Sequence, residues 1–120
     1  MIFHITSNQA WQQAQKQGEY TTVSLKNEGF IHCSTQEQVI KVANAFYLGH
    51  SDLIVLCIDE DKLINSVKWE EPAHQISDNP PVITSQEIFP HIYGAINLKA
   101  VTQIIPLIAS ENGFTWTRNI

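Results

Sequence analysis

At 120 residues, 43% of them hydrophobic, the chain is long enough to bury one core and fits a single domain over residues 1–120. Its net charge of −5 excludes a general nucleic-acid binder, which would carry a basic face. No apolar run approaches the ~18 residues that a membrane span needs and no charged-then-apolar leader opens the chain, so the expectation is a cytoplasmic protein with no membrane association.

Residues 1–6 alternate and read as a first strand. A helix follows over residues 8–17, opened by a Thr6/Gln9 capping box or by Ser7, with Ala10, Trp11 and Ala14 as a thin apolar stripe and Gly18 just past its end. Residues 19–25 include Tyr20, Thr21, Thr22 and Val23 and favour extended structure. Residues 26–29 look like a turn, and residues 29–35 form the next strand. Ser34 with Glu37, or Thr35 with Gln38, caps a second helix. Val39, Ile40, Ala43, Phe46 and Tyr47 give that helix a wide apolar face, and Gly49 ends it.

The run 53–58 is apolar throughout, as a central strand buried on both faces must be. Asp59 caps a short helical turn to Leu63, and residues 67–70 alternate with Val67 and Trp69 inward. Residues 71–85 form a polar loop with Pro72, Pro80 and Pro81. Its His74, like His50, reads as solvated. Residues 88–93 are a strand that Gly94 bends and residues 95–98 continue, with one turn near residues 97–101. Residues 104–109 are an apolar strand whose Pro106 implies an edge or a bulge. Phe114 and Trp116 alternate in a tail that pairs with the sheet.

Trp11, Phe46 and Trp69 are the expected aromatic anchors of the core. Cys33 and Cys57 lie in apolar runs and read as buried thiols. Strands outnumber helices, and the helices fall in the first half. This predicts an α+β fold with a bent, mostly antiparallel (mixed) sheet and helices packed on it.

Three of the strands share one register. In Ile2-x-His4-x-Thr6, Phe30-x-His32-x-Ser34 and Phe89-x-His91-x-Tyr93, an apolar residue, a histidine and a hydroxyl follow at alternate positions. Each set therefore occupies one strand face. If the strands are neighbours, three imidazoles and three hydroxyls line one pocket; otherwise they are unrelated structural histidines. The N-terminus of the second helix lies beside Ser34 and would favour an anion there. Three imidazoles also suit zinc. The sequence holds no closely spaced histidine pair of the kind zinc hydrolases use, and no metal ligand is assigned.

Phe3-His4-Ile5, Gly29-Phe30-Ile31-His32-Cys33-Ser34, Ile58-Asp59, Trp69-Glu70 and Phe89-Pro90-His91-Ile92-Tyr93-Gly94 together resemble the bacterial domain-of-unknown-function family 952, over nearly the whole chain. The resemblance implies a small domain with an ADP-ribosyltransferase-like fold and no established activity. More distantly, Ile2-Phe3-His4-Ile5-Thr6 is similar to the first strand of ADP-ribosyltransferases and RNA 2′-phosphotransferases, and Ile31-His32-Cys33-Ser34 to the second strand of the phosphotransferases.

That likeness implies a site for NAD or a related small-molecule nucleotide, with NAD as a substrate, and ADP-ribosyl or phosphoryl transfer as the reaction. On it His4 binds ribose, and Thr6, Ser34 and Tyr93 are further ligand-binding groups. His32, His91 and Glu87 are the catalytic candidates. Ile5 stands where the transferases carry Gly, and His91 where they carry Glu, with Glu87 a short way upstream. The phosphotransferases need arginines for phosphates, and here the sole arginine is Arg118. The alternatives are a non-catalytic nucleotide or small-ligand binder on the same fold, and a three-histidine metal site.

Overall fold

The structure is a computed structural model that describes residues 1–72 and 87–117. The chain opens with β1 (Ile2–Ser7). Ser7, the second of the two expected caps, starts α1 (Asn8–Gln17) by accepting a bond from the Ala10 N–H. Gly18 closes the helix at φ 92°, a left-handed conformation that costs glycine nothing. Trp11 and Ala14 are its buried residues, so the thin stripe is real.

Next, β2 is only Glu19–Tyr20. The extended stretch and turn expected up to residue 29 are instead α2 (Val23–Glu28), capped by the Thr22 side chain on the Leu25 N–H and ended by Gly29. Threonine favours strands by its β-branch, but as an N-cap the same side chain starts a helix. β3 is Ile31–His32. Thr35 then opens α3 (Gln36–Phe46) with a full capping box to Gln38.

The second half contains β4 (Leu53–Ile58), a 3-10 turn at Glu60–Lys62 capped by Asp59, β5 (Val67–Glu70) and β6 (Phe89–Ile92). β7 (Ile96–Asn97) does not continue β6; it pairs with β2. A second 3-10 turn at Leu98–Ala100 leads to β8 (Val101–Ser110), and β9 (Gly113–Trp116) completes the described chain. His74 and Arg118 lie outside the described residues.

The strands form a four-stranded sheet in the order β1-β4-β8-β9, a three-stranded sheet β3-β6-β5 and the pair β2-β7. Every pairing among the described residues is antiparallel, so the mixed element of the expectation is absent there. The two larger sheets meet at one bridge. The Phe3 N–H donates to the Ser34 carbonyl at 2.9 Å, and the Ser34 N–H donates to the Phe3 carbonyl at 2.7 Å. That bridge makes one curled surface of the two sheets and brings β1 beside the β3–β6 pair.

β4 is central and buried along its whole length. Alternation then produces two cores, one on each face of the β1–β4 pair. Ile2, Trp11, Tyr20, Leu56, Ile92 and Ile96 belong to one, and Phe3, Ile5, Val39, Ala43, Val55 and Phe114 to the other. His4 lies opposite Leu56 and Thr6 opposite Ile54, so both belong to the face that Trp11 and Tyr20 cover. Pro106 sits on an interior strand. It pairs opposite Ile54, and the register of β9 reaches only to Leu107, so the predicted edge is a local one.

Two expected anchors are corrected. Phe46 is 46% exposed and Trp69 43%. The buried stripe of α3 runs Val39, Ala43 and on to Tyr47, each four residues from the last. Phe46 falls off that stripe by about 100° of helix rotation and stands with Val42. Trp69 lies on β5, the outer strand of its sheet, where the core has run out beyond Val67. Cys33 and Cys57 are free and buried. No helix among the described residues is long and apolar enough to cross a membrane.

Candidate functional site

The curl frames an open cavity of about 580 Å³. Every histidine among the described residues lines it: His4 from β1, His32 from β3, His91 from β6 and His50 after α3. Thr6, Tyr20, Ser34 and Tyr47 add hydroxyls, and Ile5, Val42, Phe46 and Phe89 add apolar wall. His4, Thr6, His32, Ser34 and His91 thus share one cavity. Tyr93 stands behind His91, outside the lining. His50, read as solvated, is exposed and also borders the cavity.

His4 is buried, and both of its nitrogens are used. Nδ1 lies 2.6 Å from the His32 carbonyl oxygen, and Nε2 lies 2.7 Å from the Tyr20 hydroxyl. The same hydroxyl is 2.8 Å from Thr6 Oγ1. Burial pushes the His4 pKa down from 6.5 to about 4, because the charged ring is poorly solvated there. The neutral ring must donate from Nδ1, since a carbonyl only accepts. Nε2 then turns its lone pair to the Tyr20 hydroxyl, whose O–H also faces Thr6 Oγ1 as an acceptor. In a protonated His4, Nε2–H donates to the Tyr20 oxygen and the Tyr20 proton is left to Thr6 Oγ1. The relay ties β1 to the backbone of β3.

His91 sits in a different environment. It lies directly opposite His32 in the β3–β6 register, with ring centroids 5.4 Å apart. Phe30 stacks on it at 4.3 Å and 21°. Its Nδ1 lies 2.8 Å from Glu70 Oε1, and the Tyr93 hydroxyl donates to that same oxygen at 2.5 Å. The bonds from Tyr93 and His91 hold the Glu70 carboxyl below the usual range. In return Glu70 raises the Tyr93 pKa. His32 is more open, with Nε2 3.3 Å from Glu28 Oε1.

Glu87, the acidic candidate taken from the sequence, is placed elsewhere. Its carboxylate accepts from Lys41 Nζ at 2.7 Å and from the Gln38 amide at 3.3 Å. The carboxylate at His91 is Glu70. Proximity in sequence favoured Glu87, whereas the antiparallel β5–β6 pairing brings Glu70 to His91. Tyr20 was missed as well, since it read as a generic strand residue. The signals present were Trp69-Glu70 among the resembling segments and the shared strand face of Lys68 and Glu70.

The three-histidine metal arrangement loses a ligand, because His4 has no free nitrogen. Among the described residues no group of three histidine, cysteine or carboxylate side chains is placed to hold a metal.

Fold and cavity together define an α+β domain with a curled antiparallel sheet and an imidazole-lined pocket. Residues 5–104 match the family described as protein of unknown function (DUF952), and the chain belongs to that family. It is similar to the crystal structure of protein CC0527 from Caulobacter crescentus, with 26% identity and a TM-score of 0.77, over 94% of this chain and 90% of that one. The crystal structure of a double mutant of CC0527 gives 25% identity and the same TM-score of 0.77 over the same 94% and 90%. The solution NMR structure of CC0527 gives 26% identity and a TM-score of 0.72, over 94% of this chain and 89% of that one. Among curated proteins none matches the chain.

Proposed function

We propose that the cavity binds the uncharged part of an NAD-class nucleotide, and that the domain acts on it by ADP-ribosyl transfer. The observation that carries this is the gathering of His4, His32, His50 and His91, with hydroxyl side chains that include Thr6, Tyr20, Ser34 and Tyr47, on the wall of one cavity of about 580 Å³. Neutral imidazoles and hydroxyls match ribose hydroxyls and an amide, and the apolar wall suits ring faces. The resemblance to ADP-ribosyltransferases supports the nucleotide class. Phosphoryl transfer is the weaker option. All six lysines lie among the described residues and none lines the cavity, whereas a transferred phosphoryl group needs cationic stabilisation.

His4 holds the wall through its two bonds, so direct ligand contacts fall to His32, Ser34 and His91. A purely binding role is the second reading. The occupied nitrogens of His4 favour it, because the group that the transferases use for ribose is here committed to the protein. A cytoplasmic location accords with two thiols that stay free and buried.

The test is a thermal-shift and calorimetry panel of NAD, ADP-ribose, nicotinamide riboside, and nucleosides paired with their 5′-monophosphates. A ligand that binds only the folded state at about 100 times its Kd adds about 2.7 kcal/mol of stability. At least one NAD-class compound should raise the Tm saturably, and nucleosides should do so at least as well as their monophosphates. Nicotinamide release from NAD identifies the enzyme; binding without release identifies the binder. A panel with no shift at any concentration rules out both readings.

A further inference from the structure

We propose that Glu70 and His91 form a carboxylate–imidazole dyad whose Nε2 accepts the proton of a ligand hydroxyl in the cavity. This rests on reading the cavity as a ligand site, and it assigns Glu70 as the positioning residue of that site.

The argument starts from donor and acceptor types. Glu70 Oε1 lies 2.8 Å from His91 Nδ1, and an ionised carboxylate only accepts. Nδ1 must therefore carry the hydrogen, and in the neutral ring Nε2 carries the lone pair. The Tyr93 hydroxyl donates to the same carboxylate oxygen at 2.5 Å and so favours its ionised form.

Nε2 has no hydrogen-bond partner among the described residues. His91 is only 2% exposed, yet among the described residues no fully buried side-chain polar atom is left without a partner. An unpartnered Nε2 is thus not sealed in protein. His91 is a wall residue of the cavity, and its lone pair opens there.

Three contacts keep the ring from turning: the bond to Glu70, the Phe30 face at 4.3 Å and the His32 edge at 5.4 Å. His4 shows the contrast. It is an equally buried imidazole in the same cavity, but both of its nitrogens are spent on protein partners. One histidine builds the wall, and the other presents a base.

The step is a proton transfer. The ligand O–H bond breaks and an Nε2–H bond forms. The oxygen keeps the electron pair, and the Glu70 carboxylate pairs with the new imidazolium. The reverse transfer restores the resting ring, so no co-reactant is needed. The substrate class is an uncharged, hydroxyl-bearing molecule that fits the cavity.

Two readouts test the dyad without any ligand, so their failure is separate from failure of the binding panel. The first is the histidine tautomer, read from long-range proton–nitrogen NMR at pH 8. Wild-type His91 should be the Nδ1–H form. Glu70→Ala should shift it to Nε2–H, while Glu70→Gln, which keeps an acceptor oxygen, should restore Nδ1–H. His4 should stay Nδ1–H in every variant and reports that the fold is intact.

The second is carbethoxylation by diethyl pyrocarbonate, mapped by mass spectrometry. His91, despite its burial, should react at least about tenfold faster than His4, because only a free lone pair attacks the reagent. The proposal is overturned if wild-type His91 is the Nε2–H tautomer, if Glu70→Ala leaves the tautomer unchanged, or if His91 is as inert as His4.

Discussion

Replacing Tyr20 with Phe removes one oxygen from the most heavily bonded point of the cavity wall. That hydroxyl lies 2.7 Å from His4 Nε2 and 2.8 Å from Thr6 Oγ1, and Tyr20 itself is 3% exposed. The ring still fills its place, so no large cavity opens. The loss is two buried hydrogen bonds and one orphaned acceptor, His4 Nε2. A buried polar group left unsatisfied costs about 1–3 kcal/mol, and Thr6 can re-aim its proton, so Tyr20→Phe should cost about 2 kcal/mol. For a domain of this size that is a Tm lower by about 8 °C. In urea it is a midpoint lower by about 1 M, with an unchanged slope. A double-mutant cycle with Thr6→Val should show coupling of about 1 kcal/mol, since the two side chains share one relay. A loss below about 0.5 kcal/mol would place Tyr20 among ordinary substitutions and refute the relay.

The pH dependence of stability follows from His4. Its pKa lies at about 4 when folded against 6.5 ordinarily, so the unfolded chain takes up this proton first as pH falls. Stability is untouched by this group above about pH 6.5 and is withdrawn between there and about pH 4, by about 3 kcal/mol in all. Urea midpoints measured from pH 7.5 to 4.5 should therefore fall more steeply in the wild type than in His4→Gln; parallel curves would show that His4 is not buried neutral. Phe46→Ala should cost under about 1 kcal/mol, because the ring is 46% exposed and off the buried stripe, while a fully buried ring costs about 3–5 kcal/mol. Chemical denaturation decides this, and a loss above about 3 kcal/mol would return Phe46 to the core.

Local pattern alone determines a good part of this domain. The caps at Ser7 and Thr35 and the stop at Gly18 rest on hydrogen bonds that close within a few residues, so the sequence narrows each cap to two neighbouring candidates and names the stop. The unbroken apolar run of β4 says that both its faces are buried, and it lies between β1 and β8. Alternation shows that Ile2, His4 and Thr6 share one face, because a strand allows only two. What alternation cannot state is which strand lies beside which, since that depends on contacts far apart in the chain. The Phe3–Ser34 bridge decides that β1 meets β3, and the β5–β6 register decides that Glu70, not Glu87, meets His91. Burial by neighbours separates the two histidines: His4 becomes a neutral strut between Tyr20 and the β3 backbone, while His91 bonds through Nδ1 alone among the described residues. The same non-local packing turns Phe46 out of the core and Tyr47 into it, because the position of the sheet beneath α3 selects which part of a wide apolar face is covered.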